Sequence, residues 1–151
     1  MPATLGRAVA ALSALGSVVA VSSLYRSRPW GRREQADFWN AVALLSTPLE
    51  APVLLARLKE IELRLGRTPS VRWGVRAIDL DILTFGNVRL ATPDLEIPHP
   101  RLLERAFALA PLAEVDARFR ESFEALTAAE RESVTLAGPF QPVGETQPLM
   151  P

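Results

Sequence analysis

The sequence predicts an α+β fold in which an antiparallel sheet carries helices on one face. Three observations predict it. Residues 52–65 have the apolar spacing of an amphipathic helix, with Leu54, Leu58, Ile61 and Leu65 on one stripe. Residues 18–25, 38–45 and 77–85 are rich in β-branched or aromatic residues, or alternate apolar and polar side chains at the strand period of two. These helical and extended segments mix without the regular βαβα alternation of a doubly wound sheet.

Taken in order, Leu5, Val9 and Leu12 fall at helical spacing and predict a short first helix, which Gly16 and Ser17 end before the β-branched run Val18, Val19, Val21. Residues 8–25 carry no charge and follow Arg7, roughly how an export signal begins. Helix, turn and strand account for the same letters, and Ser13, Gly16 and Ser17 interrupt any membrane span. A loop, Arg28-Pro29-Trp30-Gly31-Arg32-Arg33, separates the first strand from a second over residues 38–45. The clear helix has Pro52 in its first turn and Gly66 as its C-terminal stop. Residues 67–76, RTPSVRWGVR, form an Arg-, Pro- and Gly-rich loop before a strand over residues 77–85, which the turn Gly86-Asn87 closes. VRLATPDLEIPHPR is extended and irregular because its prolines forbid a helix; residues 102–115 return to helix despite Pro111. Residues 138–151 hold four of the thirteen prolines and two glycines with little to bury, so they read as a loose tail behind a domain spanning 1–137. No internal repeat is present.

A chain of 151 residues is long enough for one domain with a real core, burying roughly 70% of its unfolded surface. Its 48% hydrophobic and 23% charged residues exclude a disordered chain. Seventeen basic and seventeen acidic side chains cancel, so no global field exists to hold nucleic acid or an anionic membrane, and any anion site is local. Lys59 is the only lysine; the other basic residues are arginines, whose planar fork suits bidentate phosphate contacts. The absence of cysteine excludes disulfide frameworks, thiolate nucleophiles and cysteine-based zinc sites, and fits a reducing cytoplasm.

The stretch RAIDLDILTFG, residues 76–86, places two carboxylates in an apolar run. At the strand period, Asp79 and Asp81 share one face and Ile78, Leu80 and Ile82 the other. One wet strand face explains this without function. Two neighbouring carboxylates nevertheless repel unless a cation lies near them, and Asp has poor strand propensity. Mg²⁺ fits the pair: it takes one or two carboxylates, keeps several waters and fills its remaining positions with substrate phosphate. Arg67, Arg72 and Arg76 immediately precede the strand, as a metal-bound polyphosphate would require, although simple neutralisation of the aspartates would use the same residues. Downstream, IPHPRLLERAF supplies the only histidine, His99, held between two prolines, together with Arg101 and Arg105.

With VSSLYRSRPWG and DFWNAV upstream, RWGVRAIDLDIL and IPHPRLLERAF make four separated motifs, and their order and spacing resemble the 6-hydroxymethyl-7,8-dihydropterin pyrophosphokinases of folate biosynthesis, from about residue 5 to about residue 115. The resemblance implies a ferredoxin-like α+β sandwich. It also implies transfer of the β,γ-diphosphoryl group of ATP, the co-substrate, to the hydroxymethyl oxygen of the dihydropterin, with release of AMP. By the same resemblance, Asp79 and Asp81 hold two Mg²⁺ ions, and Glu62, Arg72, Trp73, Arg76, Ile82, His99 and Arg105 bind ATP. Arg67 matches a mobile-loop arginine, which with Arg72, Arg76 and the aspartates makes up the catalytic set. On the pterin side, Asn40 matches the residue that hydrogen-bonds the pterin edge, Phe38 and Phe107 the aromatics that sandwich the ring, and Ser27 and Trp30 the loop positions that contact it through backbone. Without the resemblance, Phe38, Trp73 and Phe107 would read as ordinary core residues. A monomeric cytoplasmic enzyme with neither nucleic-acid nor membrane partner is the expectation.

The chain departs from the family pattern at four places. The family opens with a strand ending in a Gly-Ser-Asn loop, whereas this chain starts at the helix that follows; LGS at 15–17 lies after that helix and does not replace the loop. The expectation is a sheet without its first strand, either because the true start lies upstream or because the chain is a truncated, catalytically impaired homologue that binds ATP or pterin only weakly. Pro69 stands where a second mobile-loop arginine is common, which predicts slower or looser closure over ATP; Val75 replaces a usual proline, and Arg28 an acidic residue or proline. A nucleic-acid-binding module on the same layers is disfavoured, because net charge is zero and the sheet face carries aspartates.

Overall fold

The computed structural model describes residues 2–27, 38–66 and 78–140. Its architecture is α+β, with antiparallel ladders and helices, as the ferredoxin-like expectation requires. The described strands fall into three small sheets: β1 (Ser17–Val21) with β4 (Ala43–Ser46); β3 (Phe38–Asn40), β2 (Leu24–Ser27) and β7 (Val134–Gly138) in that order; and β5 (Leu90–Ala91) with β6 (Glu96–Ile97). The chain divides into two compact units, one built from Met1–Val18 and Leu45–Pro100, the other from Val19–Leu44 and Arg101–Phe140.

In the first unit, α1 (Pro2–Leu12) buries Ala8 and Leu12 and lies against α2 (Ala51–Arg64). The α2 stripe is the one its apolar spacing predicts: Leu54, Leu58 and Ile61 are buried, Pro52 sits in the first turn, and Gly66, at φ 108°, ends the helix. A bend over Gly16 brings the chain so close to β4 that a Cβ there would lie 2.1 Å from the Ser46 carbonyl oxygen. Glycine is therefore required at 16, and Thr47 Oγ1 locks the bend by donating to the Leu15 carbonyl at 2.6 Å.

In the second unit, β2 is the central strand, paired antiparallel with β3 and, across a register shift at Leu24/Tyr25, with β7. Helix α3 (Ala106–Val115) packs on this sheet and buries Leu109 and Leu112 completely. Pro111 lies inside α3, so the Phe107 carbonyl receives no helical hydrogen bond from residue 111. Two short helices follow, α4 (Arg120–Glu124) and α5 (Ala128–Glu132). A capping box starts α5: Thr127 Oγ1 accepts from Glu130 N at 3.1 Å, and Glu130 Oε1 accepts from Thr127 N at 2.8 Å.

The structure differs from the sequence expectations at three strands. Residues 18–25 and 38–45 are each divided, because the buried Ser22 hydroxyl accepts the Val42 amide at 2.9 Å, in the place of a backbone carbonyl, and donates to the Ser23 carbonyl at 2.8 Å. Residues 78–85 form no ladder among the described residues. The Leu80 amide goes instead to the Glu62 carboxylate, and the Leu83 carbonyl accepts from His99 N at 2.9 Å. The β7 strand runs to Gly138, the first residue of the expected tail, and residues 141–151 lie outside the described residues.

Candidate active site

In the first unit the carboxylate pair keeps the predicted alternation even without a ladder. Ile78 and Ile82 are buried, Leu80 is half-buried, and Asp79 and Asp81 are exposed. The anchor is Glu62 on α2, which is only 1% exposed. Its Oε2 accepts from Leu80 N at 2.5 Å and from Lys59 Nζ at 3.4 Å. A buried carboxylate requires such donors, and this one takes the amide of the residue between the two aspartates. The stretch is thereby pinned with Leu80 inward and both neighbours outward. Of the other residues expected to meet ATP, Ile82 contributes its side chain to the core. His99 is half-buried just after the cis Ile97–Pro98 bond, tied by its amide to Leu83 on the aspartate segment.

The donor set suits a hard divalent cation. Asp79 and Asp81 offer exposed oxygens two residues apart, and the described residues contain no group of three acidic or histidine side chains that would enclose a metal. Two carboxylates and open positions match Mg²⁺, which retains waters and takes phosphate oxygens.

In the second unit, the β2–β3 ladder pairs Ser27 with Phe38 and Tyr25 with Asn40. Asn40 Nδ2 donates to Ser27 Oγ at 3.2 Å, so two expected pterin residues meet directly. Phe38 and Phe107 are 49% and 39% exposed, and neither is the core residue that its type alone would predict. Exposed aromatic faces of this kind are suited to stacking on a flat ring. Arg105, expected to meet ATP, places its guanidinium 5.6 Å from the centre of the Phe107 ring, a cation–π contact. Trp30, Arg67, Arg72, Trp73 and Arg76, with the departures at Arg28, Pro69 and Val75, lie outside the described residues.

One cluster in this unit escaped the sequence reading. Glu114, near the end of α3, accepts from Ser23 N at 3.1 and 3.0 Å through its two oxygens, from Ser23 Oγ at 3.0 Å and from Tyr25 Oη at 2.8 Å. Partial burial first, then the hydrogen bond to Glu114 and its charge, push the Tyr25 hydroxyl up to about 12. A signal did exist: a carboxylate in the last turn of a helix opposes the macrodipole, which points to a tertiary partner.

A sequence model of the 7,8-dihydro-6-hydroxymethylpterin-pyrophosphokinase family matches residues 1–117. The chain belongs to this family. It is similar to the 2-amino-4-hydroxy-6-hydroxymethyldihydropteridine pyrophosphokinase of Bacillus subtilis, at 48% identity over 99 residues, which cover 66% of this chain and 59% of that protein. The protein of the same description from Pseudomonas aeruginosa is 49% identical over 98 residues, 65% of this chain and 60% of its own. That from Haemophilus influenzae is 42% identical over 110 residues, 72% and 69% respectively. The chain thus spans about 60% of the length of the first two relatives. The pyrophosphokinase match takes in both the aspartate segment and the β2–β3 hairpin, and ends before α4, α5 and β7.

Proposed function

We propose that this chain transfers diphosphate from ATP to 6-hydroxymethyl-7,8-dihydropterin, releasing AMP, as a step toward tetrahydrofolate. The single observation that carries the reading is the anchoring of Leu80 by the buried Glu62, which leaves Asp79 and Asp81 side by side and exposed within a pyrophosphokinase-family sequence. In this reading the two aspartates hold two Mg²⁺ ions. Bound there, the metal supplies charge neutralisation and alignment of the phosphate oxygens. Glu62 acts through the backbone it holds, while Arg67, Arg72 and Arg76, with Trp73, Ile82, His99 and Arg105, bind the nucleotide. Arginine and histidine donors spread the charge that develops on the transferred group. Phe38 and Phe107 stack on the pterin, Asn40 and the backbone near Ser27 and Trp30 read its edge, and the pterin hydroxymethyl oxygen attacks the β-phosphorus as the bond to the α,β-bridging oxygen breaks. No protein nucleophile takes part; positioning supplies the acceleration. A reducing cytoplasm suits a chain without cysteine, a monomer is the proposed state, and no described helix is long and apolar enough to cross a membrane.

The test is AMP formation followed chromatographically with ATP, Mg²⁺ and dihydropterin, each omitted in turn. The expected result is AMP only when all three are present. Nucleotide binding with no dihydropterin-dependent AMP would overturn the reading.

A further inference from the structure

We infer that Glu114 is a positioning residue for the pterin half of the site, setting α3, and with it Phe107, in register along β2; the inference rests on the functional reading above. Helix α3 buries Leu109, Leu112 and the small side chains of Ala106, Ala108, Ala110 and Ala113. Such burial is non-directional, and small side chains form shallow ridges, so apolar packing alone resists sliding of the helix along the strand only weakly. Directional contacts come from Glu114, whose two oxygens gather the Ser23 amide, the Ser23 hydroxyl and the Tyr25 hydroxyl at 2.8 to 3.1 Å.

Phe107 lies seven residues before Glu114, on the same stripe of α3 and about 10 Å along its axis. Ser27, the partner of Phe38 across the ladder, lies two and four residues beyond the Tyr25 and Ser23 anchors, about 7 and 13 Å along an extended chain. The helix length falls between the two strand lengths, so a clamp at one end sets the height of Phe107 relative to the hairpin that carries Ser27, Phe38 and Asn40. The carboxylate opposes the helix dipole at this position, and the three donors compensate it. Tyr25 keeps its proton, and so remains a donor, well past its ordinary range.

The test uses the full chain with Mg²⁺ and a non-transferable methylene analogue of ATP. Dissociation constants for the analogue and for dihydropterin are measured separately for wild type, Glu114→Gln and Tyr25→Phe. Glu114→Gln is expected to weaken dihydropterin binding about tenfold and Tyr25→Phe about threefold, as loss of charge-assisted hydrogen bonds predicts, with a smaller loss for the analogue in each variant, because Arg105 at the head of α3 is one of several groups proposed to hold it. A purely structural role would lower the melting temperature without separating the two ligands. Equal losses for both ligands, or none, in a wild type that binds dihydropterin overturn this inference alone. Failure of the wild type itself to bind dihydropterin overturns the functional reading, and this inference with it. Should Glu114→Gln not fold, the Tyr25→Phe pair of constants decides by the same criteria.

Discussion

In the first unit, Asp79 and Asp81 sit on a stretch with no strand partner among the described residues, and the amide between them goes to one buried side chain, Glu62. In the second, Ser27, Phe38 and Asn40 sit in a three-stranded antiparallel sheet whose register is set by seven residue pairs, with Glu114 adding a clamp from α3. The difference agrees with what each half would recognise under the proposed function. Exposed carboxylates that meet a hydrated cation need orientation more than close spacing, because the ion keeps waters that adjust. A flat ring between two aromatic faces needs those faces at fixed separation, which a ladder and a helix in register provide. Sensitivity should therefore be concentrated at Glu62 in the first unit and spread over several residues in the second.

The comparison is broken or sharpened by five measurements. The largest expected effect is on turnover: Asp81→Ala should lower AMP formation by about 10³-fold, as loss of a transition-state charge contact does, and leave the melting curve in place. Unfolding of that variant would make Asp81 a structural residue and remove the contrast. Next, Glu62→Leu should cost about 3 kcal/mol in urea unfolding, since it strips the Leu80 amide and the Lys59 ammonium of their acceptor. Asn40→Ala, which removes one neutral hydrogen bond to Ser27 from a ladder that persists, should cost no more than about 1 kcal/mol, and equal costs would show that the two units are held alike. Thr127→Ala, which breaks the α5 capping box, should cost about 1 kcal/mol and leave both ligand affinities untouched.

The smallest effect is one of pH. Tyr25 is raised to about 12 from its ordinary 10.0, so its contribution to stability is complete below pH 10 and is lost as pH rises toward 12. The stability advantage of wild type over Tyr25→Phe should shrink across that window, by less than about 1 kcal/mol because the pair is solvent-screened. A constant difference from pH 9 to 12 would detach Tyr25 from Glu114.

Features governed by local rules were legible in the sequence. The α2 stripe, its early proline and its terminal Gly66 follow from backbone preferences within a few residues, and the opposite facing of Asp79 and Ile78 follows from the strand period. The T-x-x-E pattern at Thr127 and Glu130 was present in the letters as well, though no helix was read from it. The strand break at Ser22 depends on Val42, twenty residues away, and the Glu114 clamp on partners about ninety residues upstream. The β7 strand, VTLAG, is too short and too weakly alternating to announce itself before β2 gives it a partner. At the candidate site, motif order supplied the candidate residues, whereas the backbone contact of Glu62 was not legible, because nothing in its own helix shows that its carboxylate reaches an amide eighteen residues on.

The pairing of β2 with β7 has a further consequence for how this molecule is made. Tyr25 meets Leu136, about 110 residues later in the chain, while the other edge of β2 is closed by β3 only some fifteen residues downstream. Closing the larger loop costs more entropy and happens later, so during synthesis β2 leaves one edge uncovered until residues near 138 emerge. Through that interval the unpaired edge is a template open to strand-to-strand association with neighbouring chains.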